Sequence, residues 1–368
     1  MQNSETNIKP KFLDDNEKKS LEFIGLAFLF YFVSLIYNTI RFTRDSQALQ
    51  LTISFFSALV ISLAIEKLFL LPHLVSSKRD LSLSEFTKKC IFSDTVYEGL
   101  LIVLLLPISY YSLIAVTISL LIKQFSRYFL KKSIISPLVI AVLIFYFLFH
   151  EKYQIDPGTS GFSETLTSLL TIDAQKGFAA LIQKSITSWR LFIGDFYSVS
   201  GSNIIILTVI AGVYLGFRKL IDAKSVLTYI LLTYLGFFLL FISAGDGLWS
   251  FKDAMDYQFL GSICFASVFI IGDKNNLPTD WISSLAFVSL TAFLTVVFRF
   301  AFFDSMEVFY ALAISQLLFF FESKIKKSRA TSILSWSVFA FSVIGIIAFS
   351  ISFGLLNPIN PSNGYFLN

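Results

Sequence analysis

Long apolar runs separated by short polar stretches dominate the chain. Two of the longest, 21–40 and 333–356, are long enough to cross a hydrocarbon core of about 30 Å as helices. The pattern therefore predicts an all-α polytopic membrane helix bundle of about ten or eleven spans. The predicted spans cover 21–41, 48–71, 98–109, 111–127, 135–150, 202–217, 225–243, 257–272, 283–303, 307–322 and 332–356.

The segment 98–127 departs from this simple pattern, because its apolar stretch has only the length of one ordinary span. Basic clusters flank it on both sides, and basic loops stay on the cytoplasmic side of a membrane. The segment must therefore enter the membrane and return. Pro107 breaks a helix near its middle, which predicts two short or half-helices of the kind that line buried sites. The clusters are Lys78, Arg79, Lys88 and Lys89 before the segment, and Lys123, Arg127, Lys131 and Lys132 after it.

With this reversal, the loops alternate in charge along the whole chain. Most lysines and arginines fall in loops on the side of the N-terminus, so the bias predicts a cytoplasmic N-terminus and an outward loop at 151–201. The outer loops would hold only Arg41, Arg44, Lys152, Lys176, Lys184, Arg190 and Lys252. Within 151–201, the segment 177–196 has an apolar helical face that includes Trp189, which predicts a helix that lies on the membrane surface or packs against the bundle.

The spans divide into two groups around the outer loop. Five precede it and five follow it, and an odd number in each half predicts halves of inverted topology, a common plan in transport proteins. The predicted regions are an N-terminal tail 1–20, a first membrane half 21–150, an outer loop 151–201, a second membrane half 202–327, and an extra C-terminal span with its tail 328–368.

Composition supports a membrane protein and narrows its chemistry. Charged residues make up 15% of the chain, against about 25% in soluble domains. A net charge of +4, without basic runs interleaved with aromatic residues, argues against nucleic-acid binding. The 2 cysteines and 2 histidines are too few to build a zinc, iron–sulfur or haem site within this chain.

Ionisable residues inside spans are costly, so each is a candidate functional residue. Glu66 lies beside a lysine near the inner end of a span, where a structural pair or snorkelling is favoured. Glu98 can act as an N-terminal helix acid. Arg299 lies near two acids, Asp304 and Glu307, and a structural pair is favoured there too. The sequence has no series of mid-membrane carboxylates, so a self-contained proton pump or antiporter is not favoured.

Two polar loops stand out between the spans. The run "DPGTSGFSETLTSLL" (156–170) combines glycines and hydroxyls, and "DKNNLPT" (273–279) directly follows a span. By composition alone, each is a solvated turn. The alternative for the second loop is contact with a bound group at the cytoplasmic face.

The order of these features resembles the membrane subunits RnfD and NqrB of the Rnf and sodium-pumping NADH:quinone oxidoreductase complexes, over about residues 22–327. That family has successive runs "LPP", "GKE" and "NPAL". Pro107, Lys123, Pro137 and Leu138 match these runs, and Ser136 replaces the Asn.

The resemblance implies a flavin on the outer loop. In the family this loop contains "SGAT", whose Thr carries covalent FMN through a phosphodiester link. Here the run is "SGFS" (160–163), which makes Ser163 the candidate attachment site, with Ser160 and Gly161 beside it. Phe162 stands where the family has the smaller Ala. Non-covalent riboflavin is left open.

Further matches lie in the second half. The family's "TDPVSAPT" corresponds to "GDKNNLPT" (272–279), which keeps Asp273, Pro278 and Thr279 as implied cofactor-binding residues. The segment "FRFAFFDSMEV" (298–308) keeps Arg299 and Glu307.

The function implied is that of a subunit of a redox-driven translocase in the bacterial inner membrane, rather than a stand-alone enzyme. It would couple electron transfer to Na⁺ or H⁺ movement, beside other membrane subunits and flavin or iron–sulfur subunits. The alternative is a divergent member without flavin that acts as a channel, carrier or assembly scaffold. Phe162 and the extra span at 332–356 motivate this alternative.

Overall fold

The described part of the chain is helical throughout, which confirms the predicted all-α membrane bundle. The structure is a computed structural model. It describes residues 15–36, 45–77, 83–106, 109–130, 135–153, 188–193, 204–245, 247, 250–259, 262–301, 307–322 and 329–358.

The helices fall into two groups along the chain. The first group is α1 (Asp15–Ile36), α2 (Asp45–Ser77), α3 (Leu83–Ile91), α4 (Asp94–Leu105), α5 (Tyr111–Leu130) and α6 (Pro137–Tyr153). After a short helix α7 (Ser188–Ile193), the second group is α8 (Ile205–Phe217), α9 (Ala223–Ser243), α10 (Ser250–Phe259), α11 (Ile263–Ala266) with a π-helical turn (Ser267–Ile271), α12 (Trp281–Ala301), α13 (Glu307–Glu322) and α14 (Arg329–Leu356).

Length and apolarity identify the membrane-crossing helices. Among the described residues, 5 helices are long and apolar enough to span a bilayer, and a bent pair brings the number to 6. Shorter apolar helices, α6, α8 and α13, add to the same bundle. The chain is therefore a multi-pass membrane protein. The 5 spans are Asn16–Ile36, Ala48–Leu70, Ala223–Ser243, Trp281–Phe300 and Thr331–Leu356.

Helix α4 is a buried half-helix. The Ser93 side chain caps its N-terminus by accepting a hydrogen bond from the Val96 N–H, 3.4 Å away. The negative carboxylate of Asp94 in the first turn is attracted by the positive end of the helix dipole. Leu106 is extended, with φ −82° and ψ 159°, as expected for a residue that precedes proline. Twelve residues span only about 18 Å, which is too short to cross a hydrocarbon core of about 30 Å.

Helix α5 runs back beside α4, which confirms the reversal predicted for this segment. Asp94 at the start of α4 pairs with Arg127 near the end of α5. Glu98, one turn further on, pairs with Lys123, one turn earlier in α5. The two helices are therefore antiparallel, while Pro107 lies outside the described residues.

The second group repeats the packing of the first. Helix α2 packs against α4 and α5, and α5 packs against α6. In the same way α9 packs against α10 and α12, and α12 packs against α13.

The second half also contains a broken element that the sequence pattern did not indicate. Helix α10 bends by 65° into α11 and the π-helical turn. The pattern predicts one span over 257–272 and an outer loop over 250–256. This prediction is wrong, because one helix covers Ser250–Phe259 and a second begins at Ile263. Lys252, Asp253 and Asp256 make the first part of α10 polar, although Asp253 and Asp256 are buried.

The predicted extra C-terminal span is present as α14, which packs along α9 and α12. Small residues permit this close contact. A Cβ on Gly345 would lie 2.8 Å from the Phe293 ring, and one on Gly354 would lie 2.4 Å from the Leu240 carbonyl oxygen.

Aromatic rings fill the centre of each half. Tyr31 stacks on Phe55 with ring centroids 4.5 Å apart, and Tyr257 stacks on Phe300 at 5.4 Å. Phenylalanine therefore serves the interior of this bundle as well as the surface that faces lipid.

Contact between α9 and α12 depends on Gly236. A Cβ at this position would lie 2.7 Å from the Val296 Cγ2 atom, so we expect Gly236→Ala to lower the stability by about 1–3 kcal/mol through overpacking. Gly25→Ala is the matched control, because a Cβ added to Gly25 would meet nothing within 4 Å and alanine favours a helix by about 1 kcal/mol. Thermal unfolding in one detergent measures both, and equal shifts would contradict this packing.

Candidate functional site at two buried charge clusters

The first charge cluster joins α2, α4 and α5, and we call it the α4–α5 cluster (Glu66, Asp94, Glu98, Lys123, Arg127). At its centre, Lys123 Nζ donates to Glu98 Oε2 and lies 3.3 Å from Asp94 Oδ2. The Lys123 side chain is only 3% exposed. A cation this deeply buried needs a carboxylate partner, because an unpaired charge in an apolar interior is very costly.

Glu66 is held by a helix remote from it in sequence. Gln124 Nε2 donates to Glu66 Oε2 over 2.7 Å and to Thr95 Oγ1 over 2.8 Å. The neighbour of Glu66, Lys67, is exposed. Consecutive residues of a helix do not face each other. This explains why Glu66 is held by Gln124 and not by its neighbour Lys67.

Asp273 connects the two halves. Its Oδ1 atom accepts hydrogen bonds from Lys19 Nζ at 2.8 Å and from the Asn275 N–H at 2.9 Å. The Tyr97 hydroxyl donates to Oδ2 over 3.3 Å. Asp273 is 3% exposed, so composition was misleading in favouring a solvated turn here. The loop after the π-helical turn is thereby fixed to α1 and α4.

The other residues proposed from the family resemblance are placed less centrally or not at all. Pro278 is half-buried and Thr279 is exposed, so neither shares the buried position of Asp273. Ser160, Gly161 and Ser163 lie outside the described residues. Their role in cofactor binding stays a prediction.

The second charge cluster joins α10, α12 and α13, and we call it the α10–α12 cluster (Asp253, Asp256, Tyr257, Arg299, Glu307). Arg299 Nη1 donates to Glu307 Oε1, and the guanidinium carbon lies 5.4 Å from the centroid of the Tyr257 ring. Lys252 Nζ donates to Asp256 Oδ2 over 2.9 Å. The pair that the sequence predicted for Arg299 and Glu307 is confirmed.

A line of polar side chains continues from this cluster along α9. Thr233 Oγ1 donates to Gln258 Oε1 over 3.1 Å, and the hydroxyls of Tyr229 and Thr295 are 3.0 Å apart. No functional role for Asp253, Asp256 and Tyr257 was predicted from the sequence. Their spacing of three and four residues, which places them on one helical face, was the signal that could have indicated it.

Asp273 and the α10–α12 cluster lie toward opposite ends of α12. Ser284 near its start contacts Ser225, with hydroxyl oxygens 3.3 Å apart, beside the loop that carries Asp273. Arg299 lies about 22 Å further along the same helix.

In the first half the buried acids of the short helix α4 meet Lys123 near the end of α5. In the second half Lys252 pairs with the acids of α10, and Arg299 near the end of α12 pairs with Glu307 of α13.

This arrangement stabilises charge inside an apolar bundle and permits exchange of partners. Lys123 faces two carboxylates within the same cluster, so one of them can gain or lose a proton while the lysine keeps the other. Among the residues that the structure describes, no group of three or more His, Cys, Asp or Glu side chains could hold a metal ion.

The fold and the clusters define a multi-pass membrane protein with paired charges buried in each half. The family model NQR2, RnfD, RnfE matches residues 18–319, and the chain therefore belongs to the NQR2, RnfD, RnfE family. The matched range includes both charge clusters and excludes α14. No curated protein matches the chain significantly.

The Lys123–Glu98 pair can be tested by stability measurements. Lys123→Met leaves Glu98 buried without its cation, and we expect a loss of about 3–5 kcal/mol. Glu98→Gln in the same chain should recover most of that loss. Arg127→Met is the control, since the Arg127 side chain is 42% exposed and exposed pairs contribute at most about 1 kcal/mol. Equal losses for Lys123→Met and Arg127→Met, in unfolding of the detergent-solubilised protein, would contradict the assignment.

Proposed function

We propose that the chain is an integral membrane subunit of an Rnf- or Nqr-like complex, in which electron transfer drives Na⁺ or H⁺ across the bacterial inner membrane. Its membership of the NQR2, RnfD, RnfE family, over residues 18–319, is the observation that carries this proposal. The other subunits of the complex would hold further flavin or iron–sulfur groups.

The buried charges support ion coupling. Ionisable groups inside a membrane are costly, and they commonly mark ion or proton pathways. In this chain the buried acids lie on the short helices α4 and α10, and short or broken helices are the usual setting of ion sites in transport proteins. The α4–α5 cluster would exchange ions on the predicted cytoplasmic side, and the α10–α12 cluster on the predicted outer side.

The flavin part of the proposal rests on the outer loop. The Ser163 hydroxyl would be joined to FMN, which supplies the electron-transfer chemistry once bound. Phe162, beside the attachment residue, would slow the joining reaction because it fills space that the family gives to Ala.

Attachment at Ser163 is tested by expressing the chain with its flavin-attachment enzyme. We expect ultraviolet fluorescence in a denaturing gel and an FMN mass increment on the peptide that contains Ser163. Ser163→Ala should abolish both signals, whereas Ser163→Thr should keep them because the family's acceptor is Thr. Phe162→Ala should raise the modified fraction.

Thr165→Ala is the matched control, since it removes a nearby hydroxyl and should leave the fluorescence unchanged. An unmodified Ser163 peptide in the presence of an active attachment enzyme would refute covalent FMN at this site.

A second candidate function follows from α14 and from Phe162. Helix α14 lies beyond the matched residues and packs on α9 and α12. In a chain that acts as a channel, carrier or scaffold, this helix would cover a surface that redox partners would otherwise contact. Purification from the native membrane separates the two functions. Subunits with flavin or iron–sulfur domains should accompany the chain if it belongs to a redox complex, and their consistent absence would favour the second function.

A further inference from the structure

A cleft opens between α8, α9 and the broken element formed by α11 and the π-helical turn. Its volume is about 440 Å³, within the range of about 300–1,000 Å³ usual for small-molecule sites. It lies away from both charge clusters. The lining residues are Thr208, Val209, Gly212, Val213, Gly216, Phe217, Ile221, Ala223, Val226, Leu227, Ile230, Cys264, Ser267 and Val268.

The cleft suits an apolar occupant. Its few polar side chains are satisfied within the protein, as Thr208 donates to the Ile204 carbonyl at 3.3 Å and Ser267 to the Cys264 carbonyl at 2.7 Å. Cys264 in turn donates to the Gln258 carbonyl at 3.3 Å. A polar ligand would lose its hydration there without gaining hydrogen bonds.

The cleft is open toward the lipid-facing side of the bundle. Val209, Val213, Phe217 and Leu227 line it and are also exposed. Gly212 lets Val268 pack close against α8, because a Cβ on Gly212 would lie only 2.9 Å from Val268 Cγ2. The entrance is formed by the exposed apolar side chains. An acyl chain can therefore enter from the bilayer without crossing the protein.

Exposed lysines surround the end of the cleft where α8 turns into α9. Lys219 and Lys224 lie in or next to that turn, and Lys274 reaches it through a 2.6 Å hydrogen bond from its Nζ atom to the Lys219 carbonyl oxygen. The turn is fixed in place because the Asp222 N–H donates to the Gly272 carbonyl over 2.8 Å. Arg218 is already engaged by Glu22, so these three lysines provide the cationic rim.

The position of Lys219 is structurally specific. Its φ of 58° lies in the left-handed region that favours glycine, and its N–H donates to the Gly216 carbonyl over 3.0 Å. This C-terminal turn of α8 places a lysine next to Gly216 and Phe217, at the end of the apolar cleft.

We propose that the cleft binds one anionic phospholipid, with an acyl chain in the apolar cavity and the phosphate at Lys219, Lys224 and Lys274. Basic pockets between membrane helices on the cytoplasmic side recognise anionic headgroups, and the sequence predicts that this turn is cytoplasmic. The proposal is independent of the flavin and of ion coupling.

The test uses the full chain, with any accompanying subunits, in phosphatidylcholine nanodiscs. Phosphatidylglycerol that carries a diazirine in its acyl chain is added and photolysed, and the labelled peptides are identified by mass spectrometry. We expect labelling within 205–230 that unlabelled phosphatidylglycerol displaces and added phosphatidylcholine does not.

Two variants separate the cavity from the rim. Val213→Trp fills the cleft and should abolish the labelling, whereas Ile210→Trp, on an exposed part of α8 outside the cleft, should not. Lys219→Gly with Lys224→Gln should weaken phosphatidylglycerol binding about twenty-fivefold, since each basic residue contributes about fivefold near an anionic headgroup. Lys67→Gln with Lys89→Gln, two exposed lysines elsewhere, is the charge-matched control and should leave binding unchanged.

Three results would overturn the proposal. The first is equal displacement by phosphatidylcholine, which would indicate ordinary bilayer contact. The second is labelling that persists in Val213→Trp. The third is labelling of an accompanying protein chain with no labelling within 205–230, which would show that a protein helix covers the cleft.

Discussion

The burial of Lys123 between Glu98 and Asp94 is the constraint on which the first half of the structure depends. The short helix α4 carries two carboxylates, Asp94 and Glu98, in its first turns. They face an apolar interior, where they require a cation. Helix α5 supplies that cation by returning antiparallel to α4. Arg299 and Glu307 form a second buried pair, between α12 and α13. Both halves thus contain broken helices stabilised by charge pairing.

Features set by local chemistry could be predicted from the sequence. The reversal of α4 and α5 followed from the basic residues on both sides of one apolar stretch, since the position of lysines decides the side of a membrane. The Arg299–Glu307 pair joins residues only eight apart in sequence. The extra helix α14 followed from its length alone.

Contacts that depend on the packing of distant helices could not be predicted in this way. Lys19 and Asp273 are separated by 254 positions, and Tyr97 and Asp273 by 176. No periodicity in one segment indicates such partners. Helix α10 was missed for a related reason, because its polar side chains are buried only once α9 and α12 surround them. The family resemblance implied that Asp273 is a cofactor-binding residue. Its hydrogen bonds to Lys19 and Tyr97, which connect the two halves, were not indicated by composition.

The central claim is that the buried clusters couple ion movement to electron transfer, and Glu98 is the residue that tests it most directly. Glu98→Gln removes one carboxylate while Lys123 keeps Asp94 at 3.3 Å, so the fold should survive. Electron transfer and Na⁺ or H⁺ uptake are measured together in sealed vesicles that contain the purified complex. We predict fewer ions moved per electron with electron transfer retained. An unchanged number of ions per electron would contradict the account.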